Sequence, residues 1–319
     1  TLQNDKKIYR FIQNHYTWDK NHWVSRKVNV KNAFEEKKGS VFDINLSLYY
    51  ALQAANIESK LVLLSTRDRG VPTKLYPIDT DFNYLVVKAI INKKAYFLDA
   101  VDDHLPFGLI QFESLNGEGR MLDFEKGSFW ESIKLDQKTA KTIRLSLLFS
   151  DGNLSGDLMI NSKGFIALNT RVKLDGQSED DILNDFETDN PDIVAESVEI
   201  SNLNNYEKNL KEIYKIKIET ESLDGDKIKL NPFLVDRNTI NPFRLNNRDY
   251  PVDYGYARTS TYMLSLTIPK TYKVAKLPDN VGFSLPNKGG VLILSAKEKN
   301  NIMPIIAFVL LERPKYKMG

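Results

Sequence analysis

The chain of 319 residues contains no cysteine. That absence excludes a disulfide framework, a thiolate zinc site, protein-ligated iron–sulfur clusters and any cysteine nucleophile. It agrees with an oxidising compartment but does not select one. Long apolar runs are missing as well. The longest candidate, Ile302 to Leu311, contains Pro304 and falls short of the about 18 residues that a membrane-spanning helix needs. Nor does one sign of charge dominate. The 44 basic and 42 acidic residues leave a formal charge of +2, and the basic ones form no block or stripe, so nucleic acid is not expected as a partner. No signal peptide opens the sequence; a helical pattern begins at Asn4, and the chain reads as a fragment or a mature product whose upstream part is missing.

What is present suits a folded protein. Hydrophobic residues make up 42% and charged residues 27%, which is too apolar for disorder and ample for a core. The length exceeds that of a usual single core, so roughly two or three domains are expected.

Residues 4 to 18 carry Ile8, Phe11 and Ile12 at helical spacing, with Asp5 near the start. A short helix is expected over Val30 to Lys37, ended by Gly39 in a left-handed cap. Ser40 and Asp43 form a capping box for a third helix, whose buried stripe reads Ile44, Ser47, Leu48, Ala51, Leu52 and Ala55. Strands follow at Lys60 to Ser65, Phe82 to Ile91 and Ala95 to Asp99. From about residue 140 the period changes to two. Ile143, Leu145, Leu147 and Phe149 alternate with polar residues, and Asp151-Gly152 turns the chain into Leu154 to Ile160. Further strands are expected at Phe165 to Leu174, Val194 to Ile200, Ile213 to Glu219, Tyr262 to Ile268, Val291 to Ser295 and Ile305 to Leu311, with a short acidic helix within Ser178 to Asp189. The fold class is α+β: helices on an antiparallel sheet over 1–132, then a predominantly β, sandwich-like region over 133–319. Pro232, Pro242 and Pro251 suggest a subdivision near 235–250.

Several motifs carry a family resemblance. Gly39-Ser40-Val41-Phe42-Asp43, the helix that follows, and the strand Leu61 to Ser65 resemble the Gly-x-Cys-x-Asp run, helix and strand of the transglutaminase-like core, which has a papain-type fold. Phe82-Asn83-Tyr84 is similar to that family's Phe-Asn-His strand, and Leu98-Asp99-Ala100 to its Leu-Asp-Pro/Ala segment. The resemblance implies that Val41 stands at the nucleophile position, Tyr84 at the general-base position and Asp99 at the residue that orients the base. Valine has no electron pair to attack a carbonyl, and a phenol with pKa of about 10 is a poor base at neutral pH. Asp151-Gly152-Asn153-Leu154-Ser155-Gly156, Asn231-Pro232-Phe233 and Arg248 to Gly255 look like the uncharacterised module that follows such cores in bacterial envelope proteins, so the resemblance spans nearly the whole chain.

Other candidates divide between chemistry and structure. Ser40, Phe42, Asp43, Asn83, His104, Trp18 and Trp23 could line a cleft; Ser40 already has a capping role and no histidine beside it. Asp102-Asp103-His104 could supply metal ligands, but adjacent side chains rarely converge on one ion. His15 and His22 flank the tryptophans, where packing is the commoner role. Gly117-Glu118-Gly119 lacks the lysine and helix of a phosphate cradle, and the acidic helix lacks calcium-loop spacing. No metal or other cofactor is expected.

The resemblance therefore implies a periplasmic, envelope or secreted protein without thiol catalysis, whose partner is a peptide, a glycan or another envelope protein. Two further readings stand beside it. One is a hydrolase using carboxylates such as Asp43, Asp99 or Asp103. The other is a purely structural β-sandwich assembly protein, recognisable by a cleft filled with Val41, Phe42 and Tyr84.

Overall fold

The computed structural model describes residues 2–22, 28–75, 78–219, 222–223, 227–237, 240–241, 244, 252–299, 301–312 and 315–316, of which 222–223 and 315–316 by backbone alone. Pro242, Arg248 to Pro251 and much of the expected subdivision near 235–250 lie outside the described residues. The chain forms two units, Thr1–Lys138 and Thr139–Gly319.

The first unit is built around one helix. Helix α1 (Leu2–His15) buries Tyr9, Ile12 and Gln13. Helix α2 (Val30–Glu36) starts on Asn29, whose side chain accepts the Asn32 amide, and ends on Lys37 at φ 54°. The left-handed cap is thus Lys37 and not Gly39. Gly39 lies instead in β2 (Lys38–Gly39), which runs parallel to β1 (Thr17–Trp18). A Cβ at Gly39 would approach that of Asp43 to 2.8 Å, so the close passage of the next helix, not a special φ, demands glycine there. Helix α3 (Val41–Ala54) begins with the Ser40–Asp43 capping box and buries Val41, Phe42, Ile44, Asn45, Ser47, Leu48 and Leu52. Fully buried leucines such as Leu48 and Leu52 each contribute about 2 kcal/mol relative to exposure.

Strands β3 (Ser59–Leu64), β4 (Tyr84–Ile91), β5 (Lys94–Leu98), β6 (Glu118–Leu122) and β7 (Phe129–Ser132) make an antiparallel sheet in the order β5-β4-β3-β6-β7. Helix α3 lies on β3 and β4, and α1 and α2 pack against α3. The apolar stripe of α3 is buried on one side by sheet and on the other by helices, which explains why polar residues on that stripe must find internal partners.

In the second unit β8 (Thr139–Ser150) and β9 (Asn153–Lys163) form a hairpin through Asp151 and Gly152, both at positive φ as a type I′ turn requires. Helices α4 (Phe165–Leu174) and α5 (Glu179–Asp189) follow. Then come β10 (Ile193–Ser201), β11 (Leu210–Glu219), β12 (Ser222–Leu223), β13 (Lys227–Ile228), β14 (Val252–Asp253), β15 (Arg258–Thr267), β16 (Val281–Ser284), β17 (Gly290–Ala296), β18 (Ile302–Leu311) and β19 (Lys315–Tyr316). Six of these join β8 and β9 in one sheet of eight strands, β10-β11-β9-β8-β15-β18-β17-β16, antiparallel except where β15 meets β8. Its core comes from the inward phase of each strand, for example Ile143, Leu145, Leu147 and Phe149.

The class is the expected one: mixed α+β, with helices on an antiparallel sheet followed by a β-rich region. One element is corrected. Phe165–Leu174 is helix α4, not a strand: Gly164 at φ 63° turns the chain out of β9, and the buried residues Phe165, Leu168, Arg171 and Leu174 recur at a helical spacing of three. Among the described residues no helix is long and apolar enough to cross a membrane.

Candidate functional site

Two of the positions singled out by motif, Tyr84 at the start of β4 and Asp99 after β5, are hydrogen-bonded to each other, and Asn45 of α3, the helix that Val41 opens, bonds to Asp99. Asp99 follows β5 and is 0% exposed. Its Oδ1 accepts from Asn45 Nδ2 at 3.0 Å and from the Val101 amide at 3.4 Å. Its Oδ2 accepts from the Tyr84 hydroxyl at 2.9 Å and from the Gln111 amide at 3.1 Å. Both carboxylate oxygens are therefore occupied by protein donors. Burial is the largest influence on this carboxyl and pushes its pKa up to about 6, against the four hydrogen bonds, which pull it down.

Tyr84 is also 0% exposed, and its pKa is raised well above the usual phenol value by burial first and by the neighbouring Asp99 charge second. A hydroxyl in that setting donates; it does not act as a base. Val41 is 0% and Phe42 5% exposed. The Val41 amide is bonded to the Asn21 carbonyl at 3.1 Å.

Asn45 is the residue that sequence reasoning missed. It sits four residues beyond Val41 on the same face of α3, fully buried, donating to the Leu85 carbonyl at 2.8 Å as well as to Asp99 and accepting the Ala100 amide at 2.9 Å. It ties α3 to β4 and to the segment after β5. The i to i+4 relation to Val41 was the available signal. Tyr9 and Gln13 of α1 extend the network: the Tyr9 hydroxyl donates to the Asp99 carbonyl at 2.8 Å, and Gln13 Nε2 donates to the Asp102 carbonyl at 2.6 Å.

The remaining candidates are held by structural bonds. Ser40 Oγ accepts the Asp43 amide at 3.2 Å and donates to Asp43 Oδ2 at 2.6 Å, while Asp43 Oδ1 accepts the Asn29 amide at 3.0 Å. Asn83 accepts the Thr66 amide and donates to the Thr66 hydroxyl, which joins the entry of β4 to the end of β3. Asp102 accepts from the His104 amide at 2.9 Å and from Gln111 Nε2 at 2.9 Å, and His104 Nδ1 lies 3.2 Å from it. Burial raises the pKa of Asp103, with Asp102 adding to the effect. Among the described residues no group of three histidines, aspartates or glutamates is arranged to hold a metal ion.

His15 stacks on Phe34 at 4.0 Å, a packing role. His22 is different: its ring is 5.6 Å from Tyr84 and 4.8 Å from Trp18, and its buried Nδ1 has no hydrogen-bond partner among the described residues. Trp18 is half-buried and donates to the Asn21 carbonyl at 3.3 Å. Trp23 lies outside the described residues.

The chain is similar to known proteins in a short family match and in fold. Residues 226–316 match the profile of a family described as a domain of unknown function with solved structure, DUF3858. Over 99% of its length the chain is similar in fold, with a TM-score of 0.50 and 12% identity, to a crystal structure described as a "putative protease" from Parabacteroides distasonis. At that identity the likeness is one of fold alone. The chain spans 46% of that protein. Among curated proteins none matches.

Proposed function

We propose that the first unit is a transglutaminase-like core without thiol chemistry, and that the chain serves a bacterial envelope as a non-catalytic scaffold that presents its two units to a peptide, glycan or protein partner. The observation that carries this reading is the burial of all three positions of the former triad. Val41, Tyr84 and Asp99 are 0% exposed, and the polar atoms of the latter two are spent on each other and on Asn45, Gln111 and Val101. A reacting group must reach substrate, and these groups reach only the core. Phe42 is 5% exposed, and the burial of Val41, Phe42 and Tyr84 together is also the mark of the purely structural assembly reading, so it argues against catalysis and does not by itself favour a ligand-binding cleft.

The carboxylate-hydrolase reading finds little support in the same geometry. Asp43 is committed to the α3 cap and Asp99 is 0% exposed and bonded to Asn45, Tyr84 and two backbone amides, which leaves exposed Asp103 alone of the three, and a carboxylate pair needs both members open to one bond of the substrate. An envelope location follows from the family resemblance, and fractionation of a bacterial host expressing the gene with its native upstream region tests it. The decisive assay is turnover. Purified chain is incubated with a glutamine-containing protein and a fluorescent amine, and separately with peptide substrates; no product above the buffer blank is expected. Saturable turnover abolished by Asp99→Asn would refute the scaffold reading.

A further inference from the structure

The alternation of β11 turns Leu210, Glu212, Tyr214, Ile216 and Ile218 inward. Glu212 thus sets a carboxylate where the other inward residues are apolar or aromatic. It is 6% exposed, and among the described residues its carboxylate accepts one hydrogen bond, from the Tyr214 hydroxyl at 3.0 Å. A carboxylate can accept about four. Burial raises its pKa, opposed by that hydrogen bond and by the Lys141 and Lys173 charges.

Above Glu212 lies a cavity of about 720 Å³, within the size range of small-ligand sites. Its floor is the sheet, where Ile143, Ile160 and Glu212 are lateral neighbours on β8, β9 and β11. Helices α4 and α5 form its walls through Leu174, Ile182 and Phe186, and the Phe186 ring stacks on Tyr214 at 4.4 Å. Two further buried oxygens line it without a hydrogen-bond partner among the described residues: Ser162 Oγ, on a side chain 1% exposed, and Gln177 Oε1. The amide nitrogen of Gln177 is held by Asp185 at 3.2 Å, which leaves its oxygen as an acceptor.

The charges around the cavity decide what fits. Lys141 is paired with Asp236 at 2.9 Å, Lys173 with Asp185 at 3.3 Å and Asp189 at 3.5 Å, and Arg237 with Asp192 at 2.9 Å. Each lining cation is already opposed by aspartate, Lys173 by two, so the five lining acids outnumber the three cations, and Glu212 is the lining acid without an ion pair among the described residues. Burying that charge is costly unless a cation or several donors meet it. An anionic ligand would be repelled, and a neutral one would leave Glu212 to the distant Lys141 and Lys173 charges or to uptake of a proton.

We propose that this cavity binds a protonated primary amine on an aliphatic stem, with the ammonium on Glu212, the oxygens of Ser162 and Gln177 as further acceptors, and the stem against Ile143, Ile160 and Phe186. The site lies wholly in the second unit and is independent of the scaffold reading of the first.

Isothermal titration of the full chain near neutral pH with hexylamine, hexanol and hexanoate tests it. Hexylamine is expected to bind saturably, hexanol at least about tenfold more weakly, and hexanoate not at all, since a charge-assisted hydrogen bond is worth about that factor or more. Glu212→Gln, which keeps the shape, should lower hexylamine affinity by about tenfold or more, and Ser162→Ala by a smaller factor. The proposal is overturned if wild type shows no saturable hexylamine binding, if hexanol binds as tightly, or if Glu212→Gln binds hexylamine like wild type. A Glu212→Gln chain that does not fold leaves the hexylamine-to-hexanol ratio of wild type and the Ser162→Ala titration to decide.

Discussion

Replacing Asp99 with asparagine isolates the contest at the centre of the first unit. Complete burial favours the neutral acid, whereas four hydrogen-bond donors favour the carboxylate. Burial prevails, and the pKa rises from 3.8 to about 6. A folded state that holds its proton more tightly than the unfolded chain loses stability as pH rises. The contribution of this group is fully present below about pH 4, declines between about pH 4 and 6, and is absent above. At about 1.4 kcal/mol per pKa unit the loss is about 3 kcal/mol, a large share of the about 5–15 kcal/mol that holds a domain together.

Asparagine keeps the shape and does not titrate, so subtracting its urea-unfolding free energy from that of wild type at each pH cancels every other titrating group. The difference should move in favour of asparagine by about 3 kcal/mol between about pH 3 and pH 8. Parallel curves would mean that the hydrogen bonds balance the burial. A difference moving the other way would mean that they outweigh it, and the pKa of Asp99 would lie below 3.8. Either result refutes the reasoning.

Val41→Cys introduces the sole thiol of the chain, so its labelling has no background. With position 41 fully buried, native protein should react with a thiol reagent at least about a hundredfold more slowly than urea-unfolded protein, because labelling waits for opening; equal rates would show an accessible nucleophile position and undo the scaffold argument. Arg171, 2% exposed, donates to the carbonyls of Leu203, Asn202, Asn205 and Lys208, and Arg171→Ala should cost the second unit about 2–4 kcal/mol in chemical denaturation. Arg171→Lys should recover only part of that, since a single ammonium cannot reproduce the fork; full recovery would show that charge alone matters there.

The parts of this structure that were legible in the sequence are those where one residue's neighbours along the chain determine its environment. Ser40 and Asp43 cap α3 because the capping box is a local circuit, and the β8–β9 hairpin follows from alternation around Asp151-Gly152, where only a tight turn tolerates two positive φ values. What failed depends on partners far along the chain. The stretch Phe165–Leu174 reads as a strand because short apolar runs with β-branched residues suit either period; its helical state is fixed by Gly164 and by Arg171, a charged residue in a buried slot that exists only because the loop from Asn202 to Lys208 supplies carbonyls to it. The expected stripe of α3 likewise runs on to Ala55, which is exposed, and omits Asn45, which is fully buried.

Asn45 and Glu212 share a reason for having been passed over. Each is polar at a position whose periodicity faces inward, Asn45 one turn from Val41 and Glu212 between Leu210 and Tyr214. An inward polar residue is costly unless something satisfies it. For Asn45 the satisfaction is internal: Leu85, Ala100 and Asp99 use its donors and acceptor, and the result is a locked core. For Glu212 one hydroxyl is the donor found among the described residues, and a cavity stands over the rest. Periodicity marks both residues as anomalies, and only the count of partners in three dimensions separates a structural tie from a site prepared for something the chain does not itself contain.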